Sequence, residues 1–233
     1  ILRLQVIAEK HFHLKSGAVA IPFFVMTSPL NDQSTKEFFR KNDFFGLCSA
    51  NVHFFSQGVL PCLKPPEGKF MLSSPYQICC SPDGNGGLYK ALKTSGSLSK
   101  MKDIGVSYLH VFSVDNCLAI PADPMYIGAC IGENSECGCQ CVWKKDSKEK
   151  VGIAAIKNNK PCIVEYTELP ESFRELRESS GTSPVGVKGR LVYGAGNICN
   201  HFYTIDFIKN KAVPALEVGT EVPYHIARKK ILC

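Results

Sequence analysis

The sequence predicts an α/β protein in which helices flank a mixed, mainly parallel β-sheet. Three observations support this class. Helical and strand patterns alternate through the first half of the chain. Residues 106–114 form a run dominated by apolar side chains, as expected of a strand that is covered on both faces. The 233 residues are 45% hydrophobic and 21% charged, which is ordinary for a folded domain and too apolar for a disordered chain.

The first half of the chain predicts short elements in alternation. Residues 1–12 carry apolar side chains at helical spacing, and residues 21–26 form an apolar run of strand length. Ser34 and Glu37 have the spacing of a capping box, which predicts the head of a helix that continues to about Arg40. The further predicted elements are a strand at 52–55, a small antiparallel excursion around Met71 and Ile78, and helices at 88–92 and 98–104.

The second half continues with a helix, three strands and a charged helix. Pro124 suits the first turn of a helix over residues 124–131. The predicted strands cover residues 138–143, 151–156 and 162–166. A charged helix at 171–178 is followed by a loop at 179–189 that is rich in Ser and Gly.

The chain shows no repeat and no interior linker, so we expect one domain over residues 1–233. No stretch approaches the run of about 20 apolar residues that spans a bilayer, and we expect no membrane partner. The net charge is +6, but the basic residues are scattered and only residues 228–230 form a dense cluster. Because nucleic-acid binding usually needs a basic stripe or patch, we expect no nucleic-acid partner and favour a phosphorylated small molecule.

Twelve cysteines are many for this length. Their even number is compatible with a secreted disulfide framework, but the chain is long enough to be stable without one and shows no secretory leader. We therefore predict reduced thiols and a cytoplasmic protein. Cys137, Cys139 and Cys141 would share one face of a strand and leave a thiolate metal site as an alternative, although no second ligand pair follows.

The most unusual local feature is a glycine-rich segment at residues 82–89, which read Pro-Asp-Gly-Asn-Gly-Gly-Leu-Tyr. Glycines let backbone amides approach a ligand closely, and the start of the following helix favours an anion. Asp-Gly and Asn-Gly are also common turn dipeptides, so a plain turn stays an alternative. The spacing matches neither a P-loop nor the dinucleotide-binding fingerprint.

Three further places combine polar groups with the predicted ends of strands or with turns. Asp115 follows the apolar run 106–114, where ligands bind in open α/β sheets, and one carboxylate can suffice for Mg²⁺. Glu165 lies near the end of another predicted strand, and residues 194–197 read as a second glycine-bearing turn. Carboxylates and amides suit sugar hydroxyls, but each position alone is also compatible with a capping or turn role. The six histidines show no catalytic or metal-binding spacing and are interpreted as structural.

Motifs that run in order through nearly the whole chain resemble the eukaryotic UDP-N-acetylhexosamine pyrophosphorylases of the UDP-sugar pyrophosphorylase group. The Asp-Gly-Asn-Gly-Gly-Leu-Tyr stretch separates this branch from the UDP-glucose branch. The segments that carry the resemblance are residues 21–28, 34–39, 54–58, 82–89, 114–116, 122–124, 151–152, 164–166, 196–202 and 225–231.

The resemblance implies a Rossmann-like, GT-A-like nucleotidyltransferase fold. It also implies a reversible reaction in which UTP and N-acetylglucosamine 1-phosphate form UDP-N-acetylglucosamine and pyrophosphate, with Mg²⁺ as cofactor. The sugar could equally be N-acetylgalactosamine, because pocket geometry decides one hydroxyl's configuration. By this resemblance, Gln57, Pro82 and Gly84 would hold the uracil, Asn85, Gly152, Glu165 and Asn197 the amino sugar, and Asp115 the Mg²⁺ and the catalytic role.

The chain also departs from the family pattern. The glycine-rich signature Leu-x-x-Gly-Gly-x-Gly-Thr-Arg, which binds the triphosphate, and a C-terminal region with a phosphate-binding lysine have no counterpart here. Gly194 stands where relatives commonly have Asn. We therefore expect an incomplete central catalytic domain that is weakly active or inactive alone. Two alternatives stay open: a UDP-sugar-binding module without activity, and a GT-A sugar transferase, which typically carries Asp-x-Asp where this chain has Asp115-Asn116.

Overall fold

The structure is a computed structural model that describes residues 1–178 and 189–218. It contains two compact units. Of the described residues, unit 1 comprises 1–107 and 205–218, and unit 2 comprises 108–178 and 189–204. The single domain that we expected over residues 1–233 stays a prediction. Within the described ranges, no helix is long and apolar enough to cross a lipid bilayer.

Most of the described helices agree with the predictions from the sequence, and one helix is shorter than predicted. The charged helix expected at 171–178 ends at Arg174, after which the chain pairs Arg177 with Leu191 in an isolated bridge. The loop expected at 179–189 falls outside the described residues except for Gly189. The helices are α1 (Leu2–His11), α2 (Asp32–Lys41), α3 (Gly87–Thr94), α4 (Ser97–Asp103), α5 (Pro124–Gly132), α6 (Glu171–Arg174), α7 (Ile205–Phe207), which continues through a π-turn at Ile208–Ala212, and α8 (Val213–Val218).

The start of α2 corrects the capping-box prediction. The helix begins at Asp32, two residues before Ser34, and Asn31 occupies the N-cap position. The Asn31 side chain accepts the Ser28 N–H at 2.7 Å, while the Ser34 hydroxyl donates to the Asn31 carbonyl at 3.1 Å. Ser34 therefore lies inside the first turn, and the Asn31 side chain closes the turn before the helix instead of capping it.

The described strands fall into one larger sheet and several two-stranded ribbons. The predicted strands at 21–26 and 52–55 and the antiparallel excursion around Met71 and Ile78 are all confirmed within a residue or two. The strands are β1 (Phe23–Thr27), β2 (Val52–Ser56), β3 (Val59–Pro61), β4 (Leu63–Lys64), β5 (Lys69–Phe70), β6 (Leu72–Ser74), β7 (Gln77–Ile78), β8 (Cys80–Pro82), β9 (Tyr108–Phe112), β10 (Cys137–Trp143), β11 (Ile153–Lys157), β12 (Lys160–Val164) and β13 (Ala195–Thr204).

Unit 1 is organised around the parallel pair of β1 and β2, in which Phe23 faces Val52 and Thr27 faces Ser56. The side chain of Phe39 on α2 packs edge-on against Phe54 with ring centroids 5.1 Å apart. After β2 the chain makes three antiparallel ribbons, β3 with β8, β4 with β5 and β6 with β7, and it returns to the start of α3. This excursion brings the residues after β2 next to those after β8.

Unit 2 contains a five-stranded sheet in the order β10-β13-β11-β12, with β9 also paired to β13. The side chains of Ile153 and Phe202 lie in its core and are 1% and 0% exposed. Every pairing described in this sheet is antiparallel, and β1 with β2 is the parallel pair of the described residues. The α/β class is confirmed in its mixed form, but the mainly parallel sheet is not, because an apolar run such as 106–114 does not encode the direction of its neighbours.

The second glycine-bearing turn is a further correction. Ala195, Gly196 and Asn197 begin β13 and pair with the C-terminal half of β10. A register shift between Gln140 and Cys141 marks a bulge in this pair. The polar residues of this segment therefore belong to the central strand of the unit 2 sheet. Their sequence resembles a turn because it lacks the apolar alternation of an ordinary strand.

Candidate functional site

The first cluster of predicted site residues lies in unit 1, where β3 and β8 pair. Val59 faces Pro82 across this ribbon, so the chain just before β3 meets the chain just after β8. The Gly84 N–H donates to the Gln57 side-chain oxygen at 3.2 Å. Gly84 has a φ of +85°, a conformation that favours glycine. Three residues assigned to the uracil by resemblance, Gln57, Pro82 and Gly84, are thus brought together.

Two glycines of this cluster are packed against one carboxylate. A Cβ added to Gly58 would lie 2.6 Å from Asp83 Oδ2, and a Cβ added to Gly87 would lie 2.0 Å from Asp83 Oδ1. Asp83 Oδ1 is buried and has no hydrogen-bond partner among the described residues. Asn85 is exposed in the same turn, and its carbonyl accepts the N–H of Leu88 at 3.2 Å. The glycine-rich segment is therefore a tight turn that begins α3 and is closed around the side chain of Asp83.

The second cluster lies in unit 2, beside a cavity of about 590 Å³. Asp115 and Asn197, which are 82 positions apart in the sequence, both line this cavity. The loop after β9 supplies one wall, and β10 and β13 supply the floor. The lining residues are Ser113, Asp115, Asn116, Leu118, Ala119, Ile120, Asp123, Gln140, Val142, Asn197, Ile198, Cys199 and Asn200.

Asn197 is held by the main chain on both sides. Its backbone N–H donates to the Gly152 carbonyl at 2.8 Å, and its side-chain oxygen accepts the Cys199 N–H at 2.9 Å and the Cys139 thiol at 3.3 Å. A Cβ added to Gly152 would lie 3.5 Å from Glu165 Oε1. Gly152, Glu165 and Asn197, all assigned to the amino sugar by resemblance, are therefore neighbours in unit 2.

The thiols around Asn197 are held in their neutral form. Burial, together with the neighbouring Cys141 thiol, raises the pKa of Cys139 to about 12. Burial raises the pKa of Cys199 as well, and the negative charge of Glu165 adds to this shift. Cys139 therefore stays a thiol at neutral pH and can keep donating its hydrogen bond to Asn197.

The cysteines of the described ranges are all free thiols. Cys139 Sγ and Cys141 Sγ lie 3.6 Å apart on β10, beside the bulge. Residues 1–178 and 189–218 contain no group of three or more His, Cys, Asp or Glu side chains that could hold a metal ion. The alternative of a three-thiolate metal site on this strand therefore gains no support.

The carboxylate of Asp115 is free to bind a ligand of the cavity. Its side chain is exposed, lines the cavity, and has no hydrogen bond or ion pair to its carboxylate among the described residues. Its backbone N–H donates to the Ser113 hydroxyl at 3.4 Å, which ties the loop back to the end of β9. Mg²⁺ binds to one or two carboxylates and completes its shell with water and substrate phosphates, so this single carboxylate fits the ion.

Sequence reasoning missed three polar residues of the same region. His110, Gln140 and Asn200 form a connected set of side-chain hydrogen bonds beneath the cavity. Their residue types occur in many strands without a functional role, and their distant positions give no motif. Only the pairing of β9 and β10 with β13 brings them together.

The chain matches proteins of known families over most of its length. A family model described as UTP–glucose-1-phosphate uridylyltransferase matches residues 1–218. The UDP-N-acetylglucosamine pyrophosphorylase of Saccharomyces cerevisiae is 36% identical over 231 residues, which cover 97% of this chain and 46% of the yeast protein. The human UDP-N-acetylhexosamine pyrophosphorylase-like protein 1 is 38% identical over 227 residues, which cover 97% of this chain and 42% of that protein.

A solved structure gives the same result for the fold. The uridine diphosphate N-acetylglucosamine pyrophosphorylase of Trypanosoma brucei, solved in complex with an inhibitor, superposes with a TM-score of 0.84 at 31% identity. The match covers 98% of this chain and 43% of that one. The chain thus spans about half the length of the relatives it matches. The family match over residues 1–218 confirms the resemblance seen in the sequence, and the chain belongs to the UTP–glucose-1-phosphate uridylyltransferase family.

Proposed function

We propose that this chain is the central part of an enzyme that transfers the uridylyl group of UTP to N-acetylglucosamine 1-phosphate, releasing pyrophosphate. The observation that carries the proposal is that Asp115 and Asn197 line one cavity, with Gly152 hydrogen-bonded to Asn197 and Glu165 beside Gly152. These four positions come from four separate segments of the sequence. Similarity to proteins named for this activity supports the same conclusion.

The unit 1 cluster is the proposed uracil site. The Gln57 side chain fixes the Gly84 backbone, and the N–H of the exposed Asn85 has no hydrogen-bond partner among the described residues and can donate to a ligand. A planar base that carries carbonyl and N–H groups suits recognition by a glutamine amide and by main-chain groups. Pro82, at the end of β8, supplies an apolar surface beside them.

The unit 2 cavity is the proposed site of the amino sugar and the reacting phosphates. In the proposed reaction, an oxygen of the sugar phosphate forms a bond to the α-phosphorus of UTP, and the bond to the leaving pyrophosphate breaks. The protein has little covalent work in such a displacement, so its residues bind, orient and neutralise charge. Asn197, Gly152 and Glu165 would orient the sugar through its hydroxyl and acyl groups.

We propose that Asp115 holds the Mg²⁺ cofactor. When bound, Mg²⁺ supplies positive charge that offsets the charge of the phosphates. The role of Asp115 is to bind through a carboxylate that the rest of the described chain leaves unpaired. Asp115 is therefore the proposed catalytic residue of this chain.

The finer features of the fold and the cell compartment are also proposals. We propose that residues 1–233 belong to one Rossmann-like, GT-A-like catalytic domain whose triphosphate-binding glycine-rich signature lies outside this sequence. The parallel pair β1 and β2 and the similarity to the solved pyrophosphorylase support this fold. Free thiols in the described ranges support a reducing compartment such as the cytoplasm.

The test compares binding with turnover in the whole protein that contains this chain. Isothermal titration with UTP and with UDP-N-acetylglucosamine measures binding, and release of pyrophosphate from UTP and N-acetylglucosamine 1-phosphate measures turnover. The proposal predicts both binding and release. Binding of both nucleotides without any pyrophosphate would instead support the second candidate, a UDP-sugar-binding module without activity.

A further inference from the structure

The floor of the unit 2 cavity contains a pair of amide side chains that the proposed function does not use. Gln140 on β10 and Asn200 on β13 face each other in the strand register, and both line the cavity. Asn200 is only 3% exposed, so its amide must find partners within the protein. Gln140 is half-buried and reaches the cavity itself.

His110 on β9 determines which way the Asn200 amide points. The Ala122 N–H donates to His110 Nδ1 at 2.9 Å. A main-chain N–H can only donate, so Nδ1 carries no proton and the neutral imidazole carries its proton on Nε2. Nε2 contacts Asn200 Oδ1, and this oxygen is therefore the acceptor.

The orientation of the Asn200 amide fixes the orientation of the Gln140 amide. Because Asn200 Oδ1 accepts from His110, its Nδ2 is free to donate, and it donates to Gln140 Oε1. Gln140 Oε1 is thus occupied, and Gln140 Nε2 is left with two N–H groups. Among the described residues, no acceptor is recorded for this nitrogen. The hydrogen-bond chain therefore presents a donor at the cavity.

We propose that Gln140 is a further ligand-binding residue, whose Nε2 donates to an acceptor oxygen of the sugar phosphate, either a hydroxyl oxygen or the acyl carbonyl oxygen. Asn200 and His110 are positioning residues that hold the Gln140 amide in this orientation. The proposal rests on the proposed function, which supplies the class of ligand. It assigns the sugar an additional hydrogen bond from the floor of the sheet.

The Asn197 amide is oriented in the same way as the Gln140 amide, which supports the assignment of Gln140 as a donor to the ligand. Its side-chain oxygen already accepts from Cys199 N–H and from the Cys139 thiol, so its Nδ2 is also left as a donor. The cavity floor therefore carries two amide nitrogens, on Asn197 and Gln140, with their oxygens turned into the protein. Two donors of fixed orientation suit a ligand that is rich in acceptor oxygens.

The first test is Gln140→Glu in the whole protein that contains this chain. The substitution keeps an acceptor for Asn200 and the shape of the side chain, but it replaces the donor in the cavity with a carboxylate oxygen. We expect the KM for N-acetylglucosamine 1-phosphate to rise about tenfold or more, because a hydrogen bond is replaced by repulsion between acceptors. The KM for UTP should stay within about twofold.

The second test, Asn200→Asp, leaves Gln140 itself unchanged. The new carboxylate can accept from His110 Nε2 and also from Gln140 Nε2, provided the Gln140 amide turns over. All buried groups then keep partners and the protein should fold, which circular dichroism and a cooperative thermal melt would verify. The Gln140 oxygen now faces the cavity, so we expect a selective rise in the sugar-phosphate KM of the same order as for Gln140→Glu. A purely structural role would not single out the sugar phosphate.

Gln77→Glu is the matched control, since it makes the same chemical change on the exposed strand β7 of unit 1 and should leave both KM values unaltered. Active wild-type protein whose Gln140→Glu and Asn200→Asp variants keep the sugar-phosphate KM within about twofold would overturn this inference and leave the proposed function intact. If the wild type binds UDP-N-acetylglucosamine without turnover, the dissociation constant of that nucleotide is compared instead, and the same tenfold criterion decides. Absence of both turnover and binding would overturn both proposals.

Discussion

Single contacts explain why particular residues occupy the candidate site. Gly58 and Gly87 leave room for the Asp83 carboxylate, which a Cβ at either position would meet at 2.6 Å or 2.0 Å. Gly194 lies against the indole of Trp143, and an added Cβ would be 2.1 Å from Trp143 Nε1. A side chain at position 194 would therefore collide with the indole of Trp143.

At this scale the sequence predicts candidate site residues but not their contacts. Asp115 and the glycine-rich turn were recognisable from local chemistry, and Asn197 from resemblance to a family. The hydrogen bond from Cys139 to Asn197 joins positions 58 apart and could not be read from spacing. The His110 to Gln140 set was missed for the same reason, because hydrogen bonds between strands depend on a register that local patterns do not fix.

Replacing Asp115 with Asn should separate chemistry from binding. The amide keeps the size of the side chain but removes the charge that would bind Mg²⁺. We expect turnover to fall about 100-fold or more, while the dissociation constant of UDP-N-acetylglucosamine changes by less than about threefold. Steady-state kinetics and titration calorimetry on the same preparation measure the two quantities. Mg²⁺-dependent turnover at the wild-type rate would remove Asp115 from its proposed role.

Gly194→Ala should destabilise the protein through a steric contact. The added methyl group would displace the Trp143 indole, whose N–H donates to the Leu191 carbonyl at 3.0 Å. We expect the free energy of unfolding to fall by about 1–3 kcal/mol, the usual cost of overpacking, in a urea titration. Gly128→Ala on α5 is the matched control, because nothing lies within 4 Å of its added Cβ. Equal stability of the two variants would show that the contact with Trp143 is unimportant.

The strand β13 links most of the unit 2 site. It pairs with β9, β10 and β11, and it contributes Asn197, Cys199 and Asn200 to the cavity. The side chain of Phe202 on the same strand is fully buried, so the strand serves the core and the cavity together. A shift of its register by one residue would therefore turn both Asn200 and Phe202 to the opposite face of the sheet.

Local patterns predicted α1 to α5 and most strands because these elements carry a clear apolar period or a cap signal. They failed at β13, whose start combines glycines with polar residues and resembles a turn. The mainly parallel sheet that they predicted is not confirmed, since the run 106–114 forms an antiparallel neighbour of β13 with Tyr108 exposed at its start. Strand direction depends on which distant segments pair, and that information lies outside any short window of sequence.

The pH dependence of stability should reflect His201 on β13. Burial lowers the pKa of this imidazole in the folded protein below its ordinary value of 6.5. Between the lowered folded pKa and 6.5, the unfolded state binds more protons, so the free energy of unfolding decreases as the pH falls through this window. Urea titrations between pH 7.5 and about pH 5 should show a shallower loss of stability for His201→Gln than for the wild type.

His11→Gln, at an exposed position of α1, is the control for removal of an imidazole. His53 in unit 1 also has a pKa lowered by burial and by the nearby charge of Lys100, so the wild-type slope should not vanish in the His201 variant. Parallel pH profiles for the wild type and His201→Gln would contradict the assignment.

On the scale of the whole molecule, each unit brings together its own group of proposed ligand-binding residues. Gln57, Pro82, Gly84 and Asn85 belong to unit 1, and Asp115, Gly152, Glu165 and Asn197 belong to unit 2. Within each unit, residues distant in the sequence are brought together by strand pairing. The chain spans about half the length of its relatives, so the complete reaction is a property proposed for the whole protein.

The proposed reaction joins UTP to N-acetylglucosamine 1-phosphate in the whole protein that contains this chain. The most direct measurement is phosphorus NMR of the whole protein that contains this chain, incubated with both substrates and Mg²⁺. We predict that UDP-N-acetylglucosamine and pyrophosphate appear in equal amounts, and that neither forms when the sugar phosphate is left out. Unchanged resonances of UTP and sugar phosphate, in a sample that binds UDP-N-acetylglucosamine, would contradict the proposed uridylyl transfer.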